Sequence, residues 1–513
     1  MFYPLTVQDF LDRAEGIYPY RIGVIDEPTQ PAAGWGEVTY EELARRARAL
    51  ASALDRLDVP VGGRVAIVSH NSARMLTAFF GVSGHGRILV PVNFRLARAE
   101  VDYILGHSGA SVVLYDPAVA GLVDGTAVAH TFELGPSDDE LFDVGGTGDH
   151  QPRGWDADER ATATINYTSG TTARPKGVQL THRALWLNAV TFALHAGVND
   201  TDVYLHTLPM FHANGWGHPF AATGMGARHV VIRQVDGAEI LRRVEHHGVT
   251  YLCAAPAVVN AVLDAAPSWD GPIPGRDRVR VIVAGAPPPT RTIERVRDEL
   301  GWEFIQIYGL TETSPLVTMS RMRTEWSDLD AHEQARRLGR AGAPTIGVRV
   351  RVDDDGEVLT ASNHNLEGYW EQPEATAAAQ AGGWFHTGDG GHLDEENYLV
   401  IADRKKDVII SGGENVSSIE VEDVLTSHPA VKEVAVIGVP DDKWGEAVTA
   451  LVVTDGSPVT AVELIAHCRT GLAGYKCPKR IEFRDELART ATGKLQKFKL
   501  REPFWQGRER QVN

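Results

Sequence analysis

Tyr40-Glu-Glu-Leu-Ala-Arg-Arg-Ala-Arg-Ala-Leu-Ala-Ser-Ala-Leu-Asp-Arg-Leu57 leads through Asp58-Val-Pro-Val-Gly-Gly63 into Arg64-Val-Ala-Ile-Val-Ser69. The first stretch sets Leu43, Ala47, Leu50, Ala51 and Leu54 on one face at helical spacing, and the last is a short apolar run of strand type. Thr39 and Glu42 form a capping-box pair that opens the helix. Ser111-Val-Val-Leu-Tyr115 repeats the strand signal. Strand and helix patterns alternate in this way to about residue 400, which favours parallel strands with helices on the sheet faces. The fold class is α/β, with parallel or mixed sheets flanked by helices.

The chain has 513 residues, more than one hydrophobic core accommodates, so at least two domains are expected. A formal net charge of −18 argues against nucleic acid as the main partner. The 43% apolar content supplies ample core material. Cys253, Cys468 and Cys477 include no CxxC pair, so neither a disulfide framework nor a structural zinc site is expected, and a reducing cytoplasm fits best. Asp9, Asp12 and Glu15 interrupt the apolar run that a signal peptide needs. The uncharged stretch from Val203 to Ala227 is long enough to raise the question of a membrane span. Its histidines, prolines and glycines instead mark it as a loop-rich part of a buried core.

After Asp403-Arg-Lys-Lys-Asp407 the texture shifts to strand (Val408 to Ile410), helix (from Ser417), two strands (Val434 to Val439, Val448 to Thr454) and helix (from Thr460). Ser417 with Glu420 and Thr460 with Glu463 carry capping signatures, so this run reads as a separate small α+β domain. The expected division is residues 1–405 and 406–513. The acidic stretch from Ser137 to Glu159 reads as a surface loop or a crossing between domains.

Tyr167-Thr-Ser-Gly-Thr-Thr-Ala-Arg-Pro-Lys-Gly-Val178 gathers hydroxyls, a glycine and a lysine of the kind that cradles phosphate oxygens. It is not a Walker A loop, which needs Gly at Pro175 and Ser or Thr at Gly177. Taken alone, such a segment is more often just a turn. Downstream follow Tyr308-Gly-Leu-Thr-Glu-Thr313, Trp384-Phe-His-Thr-Gly-Asp389, Asp403-Arg404, Gly412-Gly413-Glu414-Asn415 and Arg489-Thr-Ala-Thr-Gly-Lys494. In that order, and over nearly the whole chain, these motifs resemble the adenylate-forming superfamily of acyl-CoA synthetases, nonribosomal adenylation domains and firefly-type luciferases.

That resemblance implies ATP, Mg2+ and CoA as cofactors, and a large N-terminal domain joined to a small, mobile C-terminal one. It assigns Thr168, Ser169, Gly170, Thr171, Thr172 and Lys176 to the phosphate loop. Glu312 becomes a magnesium ligand with Thr168 beside it, and Asp389 and Arg404 take the ribose and phosphate. Gly285, Ala286, Pro287, Tyr308, Gly309 and Thr311 fall in the segments around the nucleotide. Lys494 is implied to stabilise charge at the α-phosphate, a role suited to a lone cation in a pre-organised site. Lys406 matches the hinge, about which the small domain rotates to bring Gly412, Gly413 and Glu414 to the thiol path.

Trp444, Lys476 and Lys479 are further CoA contacts by resemblance, although a part-buried Trp and two solvated lysines read equally well. His212 matches the histidine on the carboxylate side of the acid pocket, and Trp216 resembles the gate tryptophan of bacterial fatty acyl-CoA synthetases. Tyr251 continues an apolar stretch that is either pocket wall or plain core. Ala173, Ala488 and Ser362-Asn363 depart from the family pattern without removing a catalytic group.

The function implied is an ATP-dependent acid:CoA ligase acting on a medium- or long-chain fatty acid or an aryl acid. Its partners are that small acid, ATP and CoA, with no nucleic acid and no transmembrane segment. The oligomeric state stays open, a homodimer included. Two alternatives remain at this point. One is a stand-alone adenylating enzyme with another acceptor, either a carrier protein or nitrite and an aryl amine as in ATP-dependent diazotases. The other is a non-catalytic nucleotide sensor, which the retained Lys494, Glu312, Asp389 and Arg404 disfavour.

Overall fold

The computed structural model describes residues 1–135, 139–168, 175–285, 288–404, 407–411, 414–441, 444–489 and 495–506, with the side chains of 139, 140, 403, 404 and 415 outside that description. The helix over Tyr40–Arg56 forms as expected, closed at its start by the reciprocal Thr39 and Glu42 hydrogen bonds. Leu43, Ala47, Leu50, Ala51 and Leu54 are all buried along one face. Arg64–Val68 is a strand, and it pairs in parallel with both Ile88–Val92 and Val112–Tyr115.

These strands belong to a seven-stranded sheet that ends in an antiparallel hairpin, Thr162–Thr168 against Lys176–Thr181, with Gly368–Tyr369 added at its edge. A nine-stranded sheet holds six parallel strands between antiparallel edges. Between the two sheets lies the largest apolar core, reached from both sides by buried helices. All nine residues of Ala73–Gly81 are buried. Phe220 meets Phe79 and Phe80 edge-on at centroid distances of 5.6 and 5.8 Å. Rings so enclosed each contribute roughly 1.5–3 kcal/mol through burial.

A four-stranded antiparallel sheet (Val348–Val352, Glu357–Ser362, Phe385–Leu393, Leu399–Arg404) follows, and then a five-stranded sheet with its own core. The charged run 403–407 joins them. In this last unit the expected elements form, together with two strands the sequence reading lacked, Glu414–Val416 and Arg480–Phe483. Thr460 and Glu463 make the full capping box. Ser417 accepts from Glu420 N, but the Glu420 carboxylate turns to Lys476 at 2.7 and 2.8 Å instead of returning to the helix start. The acidic stretch after Ser137 is mostly loop, yet Leu141 and Phe142 are buried, with Phe142 edge-on to Trp35 at 5.3 Å. Among the described residues no helix is long and apolar enough to cross a membrane.

Candidate active site

One cleft of about 3130 Å3 lies between the sheets of the large domain and the small domain. The hairpin Thr162–Thr168 and Lys176–Thr181 delivers Thr168 and Lys176 to it as cross-strand partners. Ser169, Gly170, Thr171 and Thr172 connect them and lie outside the described residues, as do Ala286, Pro287, Lys406, Gly412, Gly413, Lys494 and the Arg404 side chain.

Strand Glu303–Gly309 ends in the cleft with Tyr308 and Gly309. A Cβ at Gly309 would stand 1.6 Å from the Pro315 carbonyl oxygen, so only glycine permits this close approach of backbones. The turn Thr311–Thr313 comes next, its form fixed by Thr313, which accepts from Leu310 N at 3.0 Å and donates to Pro315 O at 2.6 Å. This places Glu312 on the cleft wall. Tyr369 donates from its phenol to Glu312 Oε1 at 3.1 Å and presents its ring face to Lys176 Nζ at 4.7 Å. Asp389 is buried on the facing strand, where it accepts from the Tyr308 phenol at 2.8 Å and stands opposite Arg404 in register. Gly285 lines the cleft with φ +103°, a conformation that favours glycine.

His212 and Trp216 line another part of the same cleft. They lie at either end of a turn in which Asn214, Gly215, Trp216 and Gly217 all have positive φ, from +45° to +82°. Side-chain hydrogen bonds close a ring beneath it: Thr164 Oγ1 to Asn166 Oδ1 at 2.9 Å, Asn166 Nδ2 to Asn214 Oδ1 at 3.0 Å, and Asn214 Nδ2 to Thr164 Oγ1 at 2.9 Å. Local sequence could not reveal this ring, because Asn214 lies 48 and 50 residues from Asn166 and Thr164. Tyr369 escaped notice for a similar reason, since nothing in Gly368-Tyr-Trp370 signals a partner at Glu312.

Tyr251 takes the core side of the two readings open to it. It is fully buried, stacked on Tyr204 at 4.7 Å with its phenol 3.3 Å from His218 Nδ1, and it is absent from the cleft lining. Short strand Tyr251–Ala254 begins deep in the sheet, and only the residues after it, from Ala255, reach the cleft.

The small domain supplies the opposite wall through Arg489, Leu495 and Gln496, which flank the lysine motif. Asp423 fastens the two domains by accepting from Thr290 N at 2.9 Å and Thr290 Oγ1 at 3.2 Å, and Arg291 donates to His428 O at 3.2 Å. Glu414, Trp444, Lys476 and Lys479 are not brought to the cleft in this arrangement. Trp444 is 37% exposed, with the Lys479 ammonium 5.5 Å from its ring centroid. Lys476 is committed to Glu420, which keeps its ammonium charged to higher pH than usual.

No group of three or more His, Cys, Asp or Glu able to hold a metal occurs among the described residues. Glu312 offers one carboxylate on the cleft wall, a hard oxygen donor of the kind a magnesium ion accepts.

Residues 16–370 match the model of the AMP-binding enzyme family, and residues 420–494 match that of the AMP-binding enzyme C-terminal domain. The chain is 36% identical to the 2-methylpropanoate–CoA ligase of Humulus lupulus, over 97% of this chain and 95% of that one. It is likewise 36% identical to 4-hydroxybutyrate–CoA ligase 2 of Metallosphaera sedula, over 97% and 94%. Among solved structures it superposes on o-succinylbenzoate CoA synthetase from Bacillus subtilis, in complex with its acyl-adenylate intermediate, with a TM-score of 0.81 and 30% identity, covering 96% of this chain and 97% of that one. The chain belongs to the AMP-binding, adenylate-forming enzyme family, on its acyl-CoA synthetase branch, and is an ATP-dependent acid:CoA ligase.

Proposed function

We propose that the cleft binds ATP against Thr168, Lys176, Tyr308 and Asp389, with the acid carboxylate beside His212, and joins them as an acyl-adenylate. The observation that carries this reading is the convergence of Lys176, Glu312 and Asp389, from three distant segments, on one cleft whose far wall bears both flanks of the Lys494 motif. A carboxylate oxygen attacks the α-phosphorus, the bond to the β-phosphate bridging oxygen breaks, and pyrophosphate leaves. Both reactants are anions, so the protein's task is to align them and offset their charge. Lys176 and the hydroxyls of the Thr168 to Thr172 loop hold the departing phosphates. Lys494 meets the charge building at the α-phosphate, and Asp389 with Arg404 anchors the ribose. Glu312 and Thr168 would hold a magnesium ion, which when bound neutralises phosphate charge.

The CoA thiolate then attacks the acyl carbonyl and AMP departs. We assign this step to a second arrangement in which residues 406–513 rotate about Lys406 and the Gly412 to Glu414 segment faces the cleft. Trp444 and Lys479 are the described contacts we propose for CoA. Support comes from the exposed Trp444 ring and the Lys479 ammonium 5.5 Å from its centroid, an aromatic face and a cation side by side.

For the acid, we propose a compact hydrophobic molecule, a short or branched aliphatic or an aryl acid. His218, two residues beyond Trp216, lies among Phe192, Tyr204 and Tyr251 at centroid distances of 4.5 to 5.2 Å, all fully buried, which leaves little room for a long chain in that direction. The acids named for the 2-methylpropanoate and 4-hydroxybutyrate ligases agree with this choice in length, and the first in apolar character as well. Three buried cysteines, all free, fit a reducing compartment such as the cytoplasm. AMP release across short, branched, aryl and long-chain acids, each with and without CoA, tests the reading. CoA-dependent turnover confined to long-chain acids would overturn the acid class.

A further inference from the structure

Tyr369 is held from both sides. Its strand pairs with Lys176–Thr181, so that Tyr369 lies opposite Val178, and its N–H donates to Thr376 Oγ1 at 2.9 Å. Trp370 N then donates to Gly177 O at 2.7 Å, one residue from Lys176. The segment that carries Glu312 is tied to the same strand region, since Leu366 N donates to Glu312 O at 2.7 Å. The ring between these anchors touches two charged groups of opposite sign with different parts of itself. Its face takes the Lys176 ammonium at 4.7 Å, and its hydroxyl takes the Glu312 carboxylate at 3.1 Å.

A donor to one carboxylate oxygen fixes the rotation of that carboxylate, which is how partners of metal ligands tune affinity. A ring face retains an ammonium without neutralising it, leaving its donors available to phosphate oxygens.

We propose that Tyr369 is a positioning residue for adenylate formation, orienting Glu312 toward the metal that accompanies ATP and holding Lys176 beside the phosphate loop. The proposal rests on the roles assigned above to Glu312 and Lys176, and the test separates the two levels. Tyr369→Phe removes only the hydroxyl, Tyr369→Leu removes hydroxyl and ring face, and Glu312→Gln removes the assigned ligand charge. Two quantities are measured for each full-length variant. One is the affinity for Mn2+ in the complex with α,β-methylene-ATP, read by electron paramagnetic resonance. The other is the Mg2+ concentration that half-saturates pyrophosphate release.

Tyr369→Phe should weaken both about tenfold, with the affinity for the ATP analogue at saturating metal unchanged. Tyr369→Leu should add a loss of roughly two- to fivefold in analogue affinity, the worth of one exposed cation–ring contact. If Glu312→Gln weakens metal binding and Tyr369→Phe does not, the positioning role is wrong while the metal assignment survives. If Glu312→Gln leaves metal binding at the wild-type value, the assignment of Glu312 falls and the proposal with it.

Discussion

The Tyr308 phenol donates to Asp389 Oδ2 at 2.8 Å, joining the end of a strand in the nine-stranded sheet to a carboxylate on the four-stranded sheet. Asp389 is 7% exposed, so this bond replaces much of the solvation its charge has lost. A hydrogen bond to a charged group contributes about 1.5–3 kcal/mol. Tyr308→Phe should therefore raise the KM for ATP by roughly tenfold or more, with a smaller change in kcat, in steady-state pyrophosphate release. An unchanged KM would remove Asp389 from the nucleotide site.

Stability should fall steeply in mild acid. His206, His218 and His229 are fully buried, and burial pushes the pKa of His218 and His229 down to about 3 and that of His206 well below its ordinary value. Unfolding returns each to its ordinary value of 6.5, so below pH 6.5 the unfolded chain binds protons that the folded one refuses. Stability from these groups is complete above that pH and is lost as pH falls from about 6.5 toward 3. Each histidine contributes a slope approaching roughly 1.4 kcal/mol per pH unit. Urea midpoints at pH 7 and pH 5 check this. His218→Phe should lose less stability between the two than the wild type, and an identical loss would mean His218 does not titrate as stated.

The ring of Thr164, Asn166 and Asn214 predicts a graded pair of variants. Asn214→Gly preserves the φ of +45° but takes one hydrogen bond from each of the buried Thr164 and Asn166 side chains, a cost of about 1–3 kcal/mol. Asn214→Ala adds the left-handed penalty of roughly 1–2 kcal/mol. Both should also raise the KM for the acid, because the turn that carries His212 and Trp216 loses its support. Equal stabilities for the two variants would show that the turn relaxes out of its left-handed form.

Much of this arrangement was legible in sequence because its determinants are local. Leu43 to Leu54 declare their helix by spacing, and Thr39 and Thr460 each declare the start of a helix by the glutamate three residues on. The motifs holding Lys176, Glu312 and Asp389 are each continuous, and their order along the chain made them recognisable together. What stayed hidden is set by tertiary distance. Tyr369 meets Glu312 across 57 residues of chain, and the buried place of Tyr251 depends on where its strand begins within the sheet. An apolar run such as Tyr251-Leu-Cys-Ala reads alike as core or as pocket wall, because burial satisfies both.

In the proposed function one cleft runs two half-reactions, and the first of them needs Lys494. Single-turnover pyrophosphate release and, separately, thioester formation from synthetic acyl-AMP and CoA should be measured for Lys494→Ala. The account predicts that the first falls by on the order of a hundredfold or more, the usual loss for one donor to transition-state charge, while the second keeps its wild-type rate. Near-normal pyrophosphate release, or equal loss in both steps, would contradict it.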